Sequence, residues 1–205
     1  IGQPGYAWLL NPDTVIENNT LGELVRFNER NGRETITGAI IKDYKTKKTI
    51  LYGGSGLKPG ISSVFPVKQA RDINKLAFIS GTCLFISISN FERHGLLPEE
   101  YFLYWEEADW CWKAKINGAQ LAVCESAICY DKISTVIGKG YLAHYYYCRN
   151  GLLFISKYMP GKLPSALRSM KGRMIKRLFL FQWNKVKAIK KAVKDFKNQD
   201  FHALK

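Results

Sequence analysis

Residues 102–115, FLYWEEADWCWKAK, set Glu106, Glu107 and Asp109 among Phe, Tyr and three Trp. A carboxylate in apolar surroundings holds its proton more tightly than one in water and makes a better general base. At helical spacing Glu106 and Asp109 share a face, while Glu107 points about 100° away. One acid can then orient while another reaches a substrate. The competing reading is a solvated helix start, favoured by the macrodipole, with Asp109 paired to Lys113 one turn on.

Two more acids stand where chemistry is feasible. Asn11-Pro12-Asp13 ends the apolar run YAWLLN, which reads as a buried strand. Ligands in open α/β sheets gather at the carboxyl ends of strands, so Asp13 could reach a metal or a diphosphate there. On position alone, capping of a following helix is the commoner role for such an acid. Asp131, in Tyr130-Asp131-Lys132-Ile133-Ser134, offers hard oxygen ligands suited to Mg²⁺ or Mn²⁺, or simply belongs to a turn.

Other chemistries find little support. Gly53-Gly54-Ser55-Gly56 lacks the Gly-Lys-Ser/Thr ending of a phosphate loop and reads as a turn. His94, His144 and His202 have no metal-ligand spacing, and His144 reads as helix packing. No G-x-S-x-G elbow occurs. Cys83, Cys111, Cys124, Cys129 and Cys148 form an odd set without a C-x-x-C pair, which argues against a disulfide framework or structural zinc and for a reducing compartment.

The surrounding pattern is α/β. A helix is expected over roughly 14–30, strands at 36–41 and 48–52, and another strand within SSVFPV. FISGTCLFI (78–86) is a β-rich run bent at Gly81, and SNFERHG is a short helix. A helix from about 106 to 117 stops at Gly118. AQLAVCE and AICY read as two strands, and a helix spans about 141–158.

The chain has 205 residues, 46% hydrophobic and 13% aromatic, enough for a packed core. Its net charge of +14 is concentrated: residues 159–205 carry 13 Lys/Arg against 2 Asp/Glu. The division expected is a body over 1–158 and a basic amphipathic helical tail over 159–205. In that tail Ile175, Leu178, Phe179, Val186, Ile189, Val193 and Phe196 fall on one side, a pattern that docks on protein or lies on an anionic membrane. Nothing resembles a nucleic-acid-binding signature, so no nucleic-acid partner is expected.

LLNPDT (9–14), ISGTCLFI (79–86), LLPEEYFLYWEEADWCWKA (96–114), YDKIS (130–134) and YYYCRNGLLF (145–154), in this order, resemble family 2 glycosyltransferases of the GT-A fold, of the rhamnosyltransferase-like bacterial branch. The resemblance covers about residues 5–158. It implies a GT-A-like mixed sheet flanked by helices and inverting transfer from a nucleotide sugar to a glycan or lipid-linked acceptor, with Mg²⁺ or Mn²⁺ as cofactor. Glu107 matches the family's base, with Glu106 and Asp109 in support. Asn11 and Asp13 match its donor and metal element, and Ser80, Gly81 and Thr82 the turn beside the donor sugar. Trp105 and Trp110 would wall a sugar site, and Asp131 would be a second metal ligand.

Two positions depart from the family. Asp131 stands where His commonly precedes the Lys, and the acidic pair is Glu-Glu rather than Glu-Asp. The family's first strands and base pocket would precede residue 1, so the chain reads as a fragment inactive on its own. The role expected is cell-surface polysaccharide synthesis in the cytoplasm, peripheral to the inner face of the membrane through 159–205. The alternative is a non-catalytic remnant that binds glycan or protein.

Overall fold

The computed structural model describes residues 5–132 and 140–204. The chain divides into two compact units. One comprises Ile1–Gly56, Phe65–Leu97 and Glu107–Ser134; the other comprises Leu57–Val64, Pro98–Glu106 and Thr135–Lys205.

The first unit is a mixed sheet with helices. Its strands are β1 (Tyr6–Leu10), β2 (Thr14–Ile16), β3 (Ile36–Asp43), β4 (Thr49–Tyr52), β8 (Cys83–Ser87) and β9 (Leu121–Asp131), ordered β1-β8-β3-β9-β2 with β4 also paired to β3. The β3–β9 pair is parallel and the others antiparallel. A smaller sheet holds β5 (Gly54–Lys58), β6 (Ser63–Pro66) and β7 (Phe78–Ile79) in the order β6-β5-β7. The helices are α1 (Thr20–Asn31), α2 (Ile88–His94) and α3 (Glu106–Ile116). Leu24 of α1 packs with Ala39, Phe85, Cys124 and Cys129, so the sheet face under α1 holds one core cluster. Thr20 Oγ1 donates to the Ile128 carbonyl at 2.9 Å and Asn28 Nδ2 to that of Thr35 at 2.7 Å, tying both helix ends to the sheet.

Three sequence expectations change here. The helix expected from residue 14 begins at Thr20, because Thr14, Val15 and Ile16 pair with Asp131, Tyr130 and Cys129 instead. Consecutive β-branched side chains favour that extended pairing over a helical turn. Gly54-Ser55-Gly56 is strand rather than turn, with only Gly53 at positive φ. A Cβ on Gly54 would lie 2.0 Å from the Phe78 carbonyl oxygen, so glycine here lets two backbones meet. AQLAVCE and AICY form one strand, β9, interrupted by a bulge: Ala39 pairs with Cys124, and Ile40 next pairs with Ile128.

The second unit contains α4 (Tyr141–Tyr158), α5 (Leu163–Phe179) and α6 (Trp183–Lys197). In α6 the apolar stripe buries Ala188, Ile189 and Ala192. Ile175, Leu178 and Phe179 of α5 are exposed. The chain leaves the helix at Leu180–Gln182 before α6 begins. All five cysteines are free and buried. No helix among the described residues is long and apolar enough to cross a membrane.

Candidate active site

The first unit gathers several candidate residues at strand ends. Asn11 follows β1, and the Ser80–Thr82 turn joins β7 to β8. Because β1 pairs with β8 through Leu10 and Cys83, these two segments must meet. Asn11 N–H donates to the Thr82 carbonyl at 3.3 Å, and Asn11 Nδ2 donates to Thr82 Oγ1 at 3.4 Å. Within the turn, Ser80 Oγ donates to Thr82 Oγ1 at 3.2 Å and accepts from Thr82 N–H at 3.3 Å.

Glu107, at the start of α3, lies over this turn: a Cβ placed on Gly81 would be 3.7 Å from Glu107 Oε1. Asn11, Ser80, Gly81, Thr82 and Glu107 are therefore neighbours, although they span almost a hundred residues of sequence. Asp13 stands half-buried between β1 and β2. Thr14 is the register partner of Asp131, so Asp13 and the end of β9 come together at the backbone. Ile133 and Ser134 of the YDKIS motif lie outside the described residues.

Asp109 is only 3% exposed, which overturns the solvated-helix reading for this acid. Lys113, its expected partner, donates to the His94 carbonyl at 2.8 Å. Trp110 is buried, donating to the Gly95 carbonyl at 2.6 Å and packing on Phe91, with ring centroids 5.3 Å apart. It stands in the α2–α3 core.

Glu106 is half-buried. Its Oε2 has no hydrogen-bond partner among the described residues. Burial pushes its pKa up against a smaller opposing effect of its own backbone N–H. A carboxyl held in this way accepts a proton more readily than a surface acid.

The segment leading to Glu106 has an unusual backbone. Phe102, Tyr104 and Trp105 have φ of 60°, 65° and 78°, a region bulky residues avoid. Asn150 of α4 holds it: Nδ2 donates to the carbonyls of Tyr101, Leu103 and Tyr104 at 2.7, 2.7 and 2.9 Å. Two amide protons serve three acceptors, so one is shared. Arg149 adds donors to the Glu100 and Tyr101 carbonyls at 3.0 and 3.2 Å. Trp105, buried, donates its indole N–H to the Tyr147 carbonyl at 3.1 Å and packs against Phe154.

Arg149 and Asn150 had no role assigned from sequence. The available signal was a charged and an amide residue inside the apolar helical run YYYCRNGLLFI, where burial demands partners.

No protein-family profile matches the chain. A curated relative is the low-salt glycan biosynthesis hexosyltransferase Agl10 of Haloferax volcanii, 27% identical over 124 residues. That match covers 57% of this chain and 39% of the relative, so the chain spans about two fifths of its length. The similarity supports a glycosyltransferase reading in general terms. The α/β architecture with a mixed sheet is consistent with it.

Proposed function

We propose that this chain carries the acceptor-activating part of an inverting glycosyltransferase with a GT-A-like fold, acting in glycan biosynthesis. The observation that carries the reading is the placement of Glu107 over the Ser80–Thr82 turn at the strand ends. The similarity to a hexosyltransferase supports the class.

In this reading Glu107 accepts the proton of an acceptor hydroxyl while that oxygen bonds to the anomeric carbon of a nucleotide sugar. The bond from that carbon to the diphosphate breaks on the opposite face, which inverts the centre, and the nucleoside diphosphate leaves with the electron pair. Asn11, Ser80 and Thr82 border the donor, their polar groups already ordered by mutual hydrogen bonds. Glu106 and Asp109 support the geometry of the base or contact the acceptor. Trp105 packs on Phe154 and Trp110 on Phe91, and both are buried, so neither is an open sugar platform.

Asp13 and Asp131 are the residues that would hold Mg²⁺ or Mn²⁺. Their oxygen-only donor set is chemically suitable, and Mg²⁺ is commonly held by one or two carboxylates together with substrate phosphate. No group of three His, Cys, Asp or Glu among the described residues could hold a metal by protein ligands alone. When bound, the ion would neutralise charge on the departing diphosphate. The acceptor is a glycan or lipid-linked glycan, met at the cytoplasmic face of a membrane through the basic helices.

The test is sugar transfer by the full gene product from a panel of nucleotide sugars to lipid and glycan acceptors, with Glu107→Gln in parallel. We expect the variant to fold normally and to lose at least about a hundredfold in rate, the usual scale for a general base. Undiminished transfer by Glu107→Gln refutes the assignment. Absence of transfer by either protein, with glycan binding retained in both, supports a non-catalytic binding module instead.

A further inference from the structure

The second unit contains a cavity of about 420 Å³, lined by side chains that include Tyr104, His144, Tyr147, Arg173, Lys176 and Arg177. Among the described residues, no carboxylate lines it, and none of the three cations that do forms an ion pair. Two of them are already oriented. Arg173 donates to the Ile61 and Ser62 carbonyls at 2.5 and 3.0 Å, and Arg177 donates to Gln182 Oε1 at 2.9 Å. The Tyr147 hydroxyl is fixed by Ser63 Oγ at 3.0 Å and Val64 N–H at 3.1 Å. His144 is held below its ordinary pKa by burial first, although its bond to the Gly140 carbonyl opposes that shift; Lys185, Arg177 and Arg173 depress it further. A concave site with two ordered cations, a third beside them and, among the described residues, no acid to neutralise them selects a compact, multiply charged anion.

A second, independent observation lies next along the chain. Immediately after Arg177, α5 ends in an apolar corner: Phe179, Leu180, Phe181 and Trp183 are 81%, 50%, 79% and 57% exposed. Aromatic and aliphatic side chains left in water beside a cationic stretch are characteristic of protein that enters the interfacial zone of a bilayer. All charged residues in α5 are basic. The anion suited to the cavity and the apolar medium suited to the corner are therefore found together in a membrane lipid.

We propose that the second unit binds the phosphate group of a bilayer lipid in the Arg173–Lys176–Arg177 cavity, with the Phe179–Trp183 corner seated among the lipid chains. A phosphate monoester or diphosphate headgroup is preferred, because its charge is multiple and its oxygens are unhindered. This goes beyond the membrane contact in the transferase reading by naming the lipid chemistry and the residues that recognise it. It rests on the charge and exposure of this unit alone.

The experiment is vesicle co-sedimentation of the protein without any sugar donor, so that its failure leaves the Glu107 reading standing and failure of transfer leaves this one standing. Vesicles are phosphatidylcholine alone, with phosphatidic acid, and with phosphatidylglycerol at matched surface charge. Inorganic pyrophosphate is the soluble competitor. We expect binding to phosphatidic acid to exceed binding to phosphatidylglycerol and to be weakened by pyrophosphate.

Lys176→Gln/Arg177→Gln should lose roughly tenfold or more on phosphatidic acid and abolish the preference, the scale expected for two surface cations near an anionic leaflet. Phe179→Ser/Phe181→Ser should lose vesicle binding while still binding pyrophosphate. Equal wild-type binding to the two anionic vesicles means diffuse attraction only and overturns the proposal. Pyrophosphate binding without vesicle binding assigns the cavity to a soluble phosphate compound and overturns it also. The wild-type comparison needs no variant to fold.

Discussion

Asn150→Ala removes one amide that serves three backbone carbonyls. The Tyr101 oxygen keeps the Arg149 donor at 3.2 Å, so the loss falls mainly on Leu103 and Tyr104. An unserved buried carbonyl costs about 1–3 kcal/mol. Both hydrogen bonds are only partly buried, so the lower part of that range applies, and the two together come to about 2–3 kcal/mol. The segment also carries three non-glycine residues at positive φ, each costing about 1–3 kcal/mol in conformational strain. Once the amide is gone, relaxation of that strain competes with retention of the native turn.

The expected outcome is therefore a loss of about 2–3 kcal/mol in urea unfolding followed by circular dichroism, with local loosening at 101–105. Limited chymotrypsin digestion reads the loosening directly, since Phe102 is already 64% exposed and Leu103 and Tyr104 follow it. Asn150→Asp should be worse, because a carboxylate presents acceptors to three carbonyls. A cost below about 0.5 kcal/mol for Asn150→Ala, with unchanged cleavage between 101 and 105, refutes the account.

Glu106 and two glycines give sharper contrasts. The Glu106 pKa is raised above its ordinary 4.5, so its burial adds no cost when both folded and unfolded chains are protonated. As pH rises from there through the folded value, the unfolded chain releases its proton first and folding weakens. Glu106→Gln should therefore stabilise the protein at neutral pH and gain nothing at acid pH; pH-dependent urea titrations check this, and a less stable variant at neutral pH refutes it. Gly81→Ala should fold normally, since its Cβ meets Glu107 at an ordinary 3.7 Å, whereas Gly54→Ala should fail to accumulate as folded protein. Thermal melts and soluble yield compare the two, and a stable Gly54→Ala variant contradicts the close strand approach.

Periodicity and stop signals revealed what local chemistry determines. The apolar run of β3, the helix from Tyr141 and the stop at Gly118 are all visible in residue order. The strand at Thr14–Ile16 was hidden because its partner lies at 129–131, and nothing in three residues announces a pairing that distant. The β9 bulge was hidden for a related reason: polar Glu125 and Ser126 look like a turn until β3 runs past them in parallel.

At the candidate site, the crowding of acids and aromatics pointed to α3, and the apolar runs pointed to the strand ends. Residue order could not distinguish Trp110, packed on Phe91, from an open platform. Nor could it reveal that Asn150 clasps a segment nearly fifty residues earlier, since an amide in a helix reports its own helix and not its tertiary partners.

Residues 102–105 put Phe, Tyr and Trp where glycine would suit the backbone better, and their rings contact α4: Phe102 lies 5.1 Å from Tyr146 and Trp105 5.2 Å from Phe154. Backbone comfort and side-chain adhesion are thus set against each other within one short segment. Glycine would ease the torsions while removing the adhesion that makes this conformation worth holding, so single substitutions here trade one loss for another. Evolutionary drift would then be expected to move the rings, their helix partners and Asn150 together, as a linked set of positions rather than as independent sites.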